Sequence, residues 1–315
     1  MQKLRDTLSA GQTGCLRQGT YGSATTRTEL HRSGTSGNPI TYISYPGERA
    51  TLLGGYTVTG DHITLSHLNF NQNYLRPRVY HPNCSSQGAL ALDIYSSHVT
   101  IEYNDISQAS LSPAQRDTAI GVWAAPTRGR TTDVVIRHNK IHDFGACSAY
   151  DHGIYFDHSA NGKIVGNWIY NVPCSYGQGG GDHSRGCGAG IQLYVDPIAT
   201  QVSANIIDGT GLGLYLAGSG GKVYNNIITN TLGYYQTATF SSGPVVLSGS
   251  GGSNNTFTDN AMFNAGPLCA DCTGLTATAG NITVDPQYTD RANRNYALKA
   301  SSPIPASWGI WDGTG

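Results

Sequence analysis

Apolar positions recur along this chain in short runs that alternate with variable positions. Examples are Leu90-Ala-Leu92, Ile120-Gly-Val122, Ile154-Tyr-Phe156, Ile191-Gln-Leu193, Leu214-Tyr-Leu216 and Val245-Val-Leu247. A period of two predicts short strands, each with one buried face. A second pattern follows each run: apolar, any, any, Asn, any, apolar. It reads Ile101-Glu-Tyr-Asn104-Asp-Ile106, Ile136-Arg-His-Asn139-Lys-Ile141 and Ile164-Val-Gly-Asn167-Trp-Ile169. It continues as Val202-Ser-Ala-Asn205-Ile-Ile207, Val223-Tyr-Asn-Asn226-Ile-Ile228 and Phe257-Thr-Asp-Asn260-Ala-Met262. An earlier copy, Leu65-Ser-His-Leu68-Asn-Phe70, carries Leu in the Asn place.

The Asn-to-Asn steps are 35, 28, 38, 21 and 34 residues. The shortest step is a bare repeat, and the longer ones carry insertions. One repeat predicts a strand, a turn, a second strand and an Asn-marked bend. Such a rung cannot bury its apolar side alone, but stacking rungs about 4.8 Å apart makes parallel sheets around a continuous core. Asn suits the bend because it tolerates turn geometry. Its amide both donates and accepts, so a ladder of side chains is expected up the stack.

These repeats resemble those of right-handed parallel β-helix proteins of the pectate-lyase-like superfamily, over residues 35–265. The resemblance implies an all-β solenoid and activity as a polysaccharide lyase or glycoside hydrolase. A single domain over 1–315 is expected, with an N-terminal cap at 1–34, stacked rungs at 35–265 and a closing segment at 266–315. Leu4 and Leu8 share a face of a short capping helix over about residues 2–9. Such a helix would cover the open first rung, whose edge otherwise invites pairing.

Composition agrees and narrows the class. The chain has 41 Gly, 12% charged residues, and 19 Tyr against 6 Phe. A net charge of −1 lacks the basic excess of a nucleic-acid binder. No apolar stretch is long enough to span a membrane. The cysteines Cys15, Cys84, Cys147, Cys174, Cys187, Cys269 and Cys272 lie in loop-like segments, as in a disulfide-bearing secreted protein. Cys174 and Cys187 are the preferred pair. Cys269-Ala-Asp-Cys272 has no second pair at zinc-finger spacing, which argues against zinc. Met1-Gln-Lys-Leu lacks a signal peptide's apolar stretch, so export implies a leader already removed or a non-classical route. A monomer is expected.

Alternation places Asp93, Gly121, Trp123, Tyr155, Asp157, Gln192, Tyr194 and Tyr215 on one outward sheet face. The insertions at 71–89, 108–118, 143–152, 172–189 and 233–243 precede these strands and would wall a groove. Tyr and Trp offer sugars an apolar face and a polar edge. Trp123, Gln192, Tyr215 and Asp93, with Arg76 and Arg78 from the first insertion, are the expected substrate-binding residues. Arg forks match sugar carboxylates.

The densest cluster is Tyr150-Asp-His-Gly-Ile-Tyr-Phe-Asp157-His158, followed by Gly181-Asp-His-Ser-Arg185 and Tyr194-Val-Asp196. β-Elimination on a uronic-acid glycan needs a cation on the C6 carboxylate, a base at C5 and an acid at the leaving oxygen. Arg185, or Ca²⁺ held by Asp157, Asp182 or Asp196, supplies the cation. His158 or His183, with Tyr155 or Tyr194, supplies base and acid, and Asp157 orients an imidazole. Two alternatives stay open. Paired Asp carboxylates would serve a glycoside hydrolase, although the polygalacturonase signatures are absent. The same aromatic stripe would serve a non-catalytic carbohydrate binder. His152 is expected to be structural, and His138 and His142 to be exposed loop residues.

Overall fold

A computed structural model describes residues 1–77, 85–125, 129–145, 151–171, 188–231, 245–247, 251–269 and 271–309. Cys84, Cys147, Cys174 and Cys187 lie outside the described residues, as does most of the 172–189 insertion and all of 233–243. The strands form three long parallel sheets. Sheet I runs from Thr13–Leu16 to Leu275–Ala277 and has ten strands; sheet II runs from Gly19–Tyr21 to Ile282–Thr283 and also has ten. Sheet III runs from Arg27–Leu30 to Val246–Leu247 and has eight. The chain visits III, I and II in turn, which is a parallel β-helix.

Each rung therefore has three strands, one more than the repeat predicts. The extra strand was hidden inside the Asn motif. In Ile101-Glu-Tyr-Asn-Asp-Ile106, Ile101 belongs to sheet I and Ile106 to sheet II. Tyr103, with φ of 55°, turns the chain between them. The preceding position takes the same left-handed turn at His67, His138, Ala204, Asn225 and Asp259.

The register stacks like on like. Leu65, Ile101, Ile136, Ile164, Val202, Val223 and Phe257 form one inward column. Phe70, Ile106, Ile141, Ile169, Ile207, Ile228 and Met262 form another. All but Met262 are buried, and their removal from water supplies the main favourable term of folding.

The amide ladder is present at the I–II corner. Asn104 Nδ2 donates to Asn139 Oδ1 (3.1 Å), Asn139 to Asn167 (2.9 Å), Asn167 to Asn205 (2.9 Å), Asn205 to Asn226 (2.9 Å) and Asn226 to Asn260 (2.9 Å). Asn281 extends it by one rung, accepting from Asn260 at 3.1 Å. Each Oδ1 also accepts a backbone N–H from the rung before, as Asn205 does from Asn167 at 2.9 Å. At the irregular copy, Leu68 N–H donates to Asn104 Oδ1, so the ladder ends without an orphaned acceptor.

The helix spans Gln2–Thr7. Leu8 is buried, and Leu4 packs against the core. A Cβ on Gly14 would lie 2.8 Å from Leu8 Cδ1 and 3.1 Å from Leu4 Cδ1, so glycine there lets the cap sit on the first rung. At the other end, Leu268, Cys269 and Leu275 pack on the main core. The rest of the tail turns back along the flank. Its antiparallel hairpin, Tyr288–Asp290 with Asn295–Leu298, covers the outer face of sheet II. Tyr288, Tyr296 and Ile304 pack there with Trp168, Tyr170, Ile206 and Ile227. Cys269 and Cys272 are joined by a disulfide, and Cys15 is free and exposed.

Candidate functional site

The outer face of sheet III carries the predicted stripe. Asp93, Gly121, Tyr155, Gln192 and Tyr215 occupy one register position on successive rungs. Their neighbours along each strand, such as Ile154, Phe156, Ile191 and Leu193, point into the core. Two residues further on, a second column is marked by backbone bonds. Trp123 N–H donates to Ile94 O, Asp157 to Val122 O and Tyr194 to Phe156 O. Tyr95 belongs to this column, donating to Val58 O. Sequence alternation did not pick out Tyr95.

Gly121 leaves a notch that Trp123 fills. A Cβ at 121 would fall 2.5 Å from Trp123 Nε1. The indole N–H donates to Asp93 Oδ1 at 2.7 Å, and the ring meets Tyr155 with centroids 4.8 Å apart. Asp93 is 2% exposed. Burial pushes its carboxyl up to about 6, against the Trp123 bond and the positive charges of Arg76 and Arg27. Arg76 lies on the insertion strand Leu75–Pro77, pairs with Gly88 and is exposed. Ser85 N–H donates to Ala114 O, so the first two insertions touch beside this sheet.

His152 lies beneath Tyr155, with rings 5.6 Å apart and 13° from parallel. Its Nδ1 accepts the Ala189 N–H at 3.0 Å. Full burial pushes its pKa down to about 3, so it is a neutral prop. Burial, followed by the nearby Asp157, raises the Tyr155 hydroxyl well above its ordinary range and keeps it protonated. Tyr194 is 39% exposed and meets Tyr215 edge-on at 5.7 Å.

Past the end of the Tyr155 strand, Asp157 Oδ1 bonds His158 Nδ1 and accepts the Val195 N–H at 3.2 Å. The Asp157 carboxylate thus both orients an imidazole and braces the turn. His158 has φ of 41°, and its side chain is 45% exposed. With Nδ1 bonded to Asp157, Nε2 is the other ring nitrogen of this half-exposed side chain.

Arg130 was not picked out by sequence. It donates to Asp196 O at 2.6 Å, Asp196 Oδ2 at 3.0 Å and Ser159 O at 3.1 Å. It ties together the two turns that carry His158 and Tyr194. Its bond holds the Asp196 carboxyl below the usual range. No local pattern marks Arg130, because its partner is 66 residues away.

Asp182, His183, Arg185 and Arg78 lie outside the described residues. Of the expected Ca²⁺ ligands, Asp157 and Asp196 are described and Asp182 is not. Asp157 is committed to His158, and Asp196 to Arg130. Among the described residues, no three His, Cys, Asp or Glu side chains are grouped to hold an ion. No described helix is long and apolar enough to cross a membrane.

His142, expected in an exposed loop, is buried on the outer face of sheet II. Its Nδ1 bonds Asp143 (2.6 Å) and its Nε2 bonds Asp105 (2.9 Å). It stacks on Tyr170 at 4.9 Å.

Comparison with solved structures gives matches along most of the chain. A pectate lyase, Pel9A, superposes with a TM-score of 0.56 at 13% identity, over 96% of this chain and 84% of that one. An alginate lyase from Paenibacillus sp. str. FPU-7 gives 0.57 at 17% identity, over 90% and 91%. XylC in complex with xylose gives 0.53 at 13% identity, over 82% and 64%. At these identities the likeness is one of fold. No curated protein matches the chain. A family model described as disaggregatase related matches residues 217–314. A second, described as the right handed beta helix region, matches residues 49–230, more than half of the sequence. With the three-sheet topology, that match establishes that the chain belongs to the right-handed β-helix family.

Proposed function

We propose that this protein is a secreted, monomeric polysaccharide lyase that cleaves a uronic-acid glycan by β-elimination. The observation that carries this reading is the Asp157–His158 pair at the open end of an aromatic column. His158 Nε2 removes the C5 proton of the sugar. The C4–O bond breaks as the C4=C5 double bond forms. Tyr194, or Tyr155, passes its phenolic proton to the departing oxygen and recovers it from His158 through solvent. Electron withdrawal at C6 requires a cation on the carboxylate, and Arg76 and Arg27 are exposed guanidiniums on this side of the described structure. Arg130 holds the two turns in place. The fold shared with a pectate lyase and an alginate lyase supports the substrate class.

A second reading rests on Asp93. A buried carboxyl raised to about 6 is suited to protonating a glycosidic oxygen, as in a hydrolase. Incubation with pectate, alginate, glucuronan and glycosaminoglycans separates the two. Ultraviolet absorbance of unsaturated uronates marks the lyase, and reducing ends without that absorbance mark the hydrolase. Binding without either product supports a non-catalytic binder and refutes both enzymatic readings.

A further inference from the structure

The outward column contains one amide whose position in the stack is unusual. Gln192 sits within the strand Ala189–Leu193, flanked by the buried Ile191 and Leu193, so its side chain faces the groove. On adjacent rungs its register partners are Tyr155 and Tyr215. It is 7% exposed, yet its Oε1 has no hydrogen-bond partner. Other buried amides on this helix are paired. Gln72 Nε2 donates to Ala119 O at 2.7 Å and Gln108 Nε2 to Gln72 Oε1 at 3.1 Å; Gln108 Oε1 accepts the Asp117 N–H at 2.7 Å. Gln192 Oε1 is the one buried side-chain amide oxygen left unpaired among the described residues. A buried carbonyl in that state costs stability, and its retention makes sense where a ligand supplies the donor.

We propose that Gln192 is the specificity-determining residue of this groove, reading two adjacent free hydroxyls on the sugar seated between Tyr155 and Tyr215. The inference rests on the glycan reading of the groove and deepens it. An amide presents an acceptor beside a donor, which matches a vicinal diol: one hydroxyl donates to Oε1 and the next accepts from Nε2. The two tyrosines flank that sugar with apolar surface. A sugar carboxylate belongs elsewhere, at Arg76 beside Asp93, because an uncharged amide cannot neutralise it. A sugar esterified on that diol lacks the donor and adds bulk, and a site built for a hydroxyl rejects such analogues strongly.

The test uses oligogalacturonate and alginate oligosaccharides, each native and O-acetylated, with wild type and Gln192→Met. Affinity is measured by calorimetry, and KM and kcat where turnover occurs. Wild type should prefer the native form by about 10- to 100-fold, from the cost of one unpaired buried polar group. Gln192→Met should lose that preference, raise KM far more than it changes kcat, and melt at the same or a higher temperature. A lower melting temperature would assign Gln192 a structural role and overturn the proposal. Equal wild-type affinity for native and acetylated forms, or an unchanged KM in the variant, would overturn it while leaving the glycan site standing. Wild type binding none of the four probes would overturn both.

Discussion

Two outer faces of the helix carry aromatic and acidic side chains. On sheet II, Trp168, Tyr170 and Asp208 are 3–4% exposed beneath the C-terminal hairpin. Asp208 accepts from Thr229 (2.7 Å), Asn230 (2.6 Å), Tyr296 (2.9 Å) and Arg291 (3.0 Å). His142 bonds a carboxylate through each ring nitrogen. On sheet III, Tyr155, Tyr194 and Tyr215 remain partly exposed, His158 spends one nitrogen on Asp157, and Gln192 leaves its oxygen unpaired. An aromatic stripe with acids nearby does not distinguish the faces. Cover does: the C-terminal hairpin buries the sheet II face, whereas Tyr194 and His158 stay exposed on the sheet III side.

The largest expected effect separates chemistry from architecture. His158→Gln should lower turnover on the order of 10²- to 10⁴-fold and leave the melting temperature unchanged. Asp208→Ala should do the reverse. Removing an acceptor shared by four donors under the tail should cost about 3–5 kcal/mol, read as a lower denaturation midpoint, with kcat intact while the protein is folded. A full rate in His158→Gln breaks the catalytic half of the comparison. Lost turnover in folded Asp208→Ala breaks the structural half.

The faces should also titrate in different windows. Burial raises Asp93 from 3.8 to about 6, so folding favours its protonated form. That contribution is complete below pH 3.8 and is lost as pH rises through about 6. The shift corresponds to about 3 kcal/mol as an upper figure. Asp93→Asn should therefore equal wild type near pH 4 and exceed it in urea midpoint at pH 7. Burial opposes a charge on His142, but bonds to Asp105 and Asp143 outweigh it and raise its pKa above 6.5. Its contribution is present below pH 6.5 and lost above that. His142→Gln should flatten stability on the alkaline side alone. A variant that flattens the other's window would show that these groups do not govern the profile.

What sequence revealed follows from the range of each interaction. The Asn ladder was legible because each rung repeats the same local turn, and the column Asp93–Gly121–Tyr155–Gln192–Tyr215 because alternation is local. The third strand of the rung was not, since the Asn motif straddles two sheets and reads as one bend. Burial of His142 was invisible for a different reason. The tail that lies over sheet II is far away in sequence, and Arg294 reaches Asp143 across 151 residues. Arg130 escaped notice likewise, as its role exists only once Ser159 and Asp196 stand side by side. Both Asp143 and Asp157 precede or follow a histidine in sequence; the difference in exposure between His142 and His158 comes from what folds over them.

The smallest effect tests how finely the groove face is tuned. The Trp123 indole N–H supports the ionised form of Asp93, opposing the burial that raises it. Trp123→Phe keeps a ring over Gly121 but removes that donor. A hydrogen bond to a charged group contributes about 1.5–3 kcal/mol, and repacking of the smaller ring will return part of it. The carboxyl should then titrate higher than in wild type, so stability falls further between pH 6 and 8 by about 1 kcal/mol. In Asp93→Asn the same Trp123→Phe change should cost less, since no charge is left to support. Equal costs in the two backgrounds, measured as urea midpoints at pH 7, would show that the indole packs against Asp93 without setting its charge. The groove face would then resemble the covered face in this one respect.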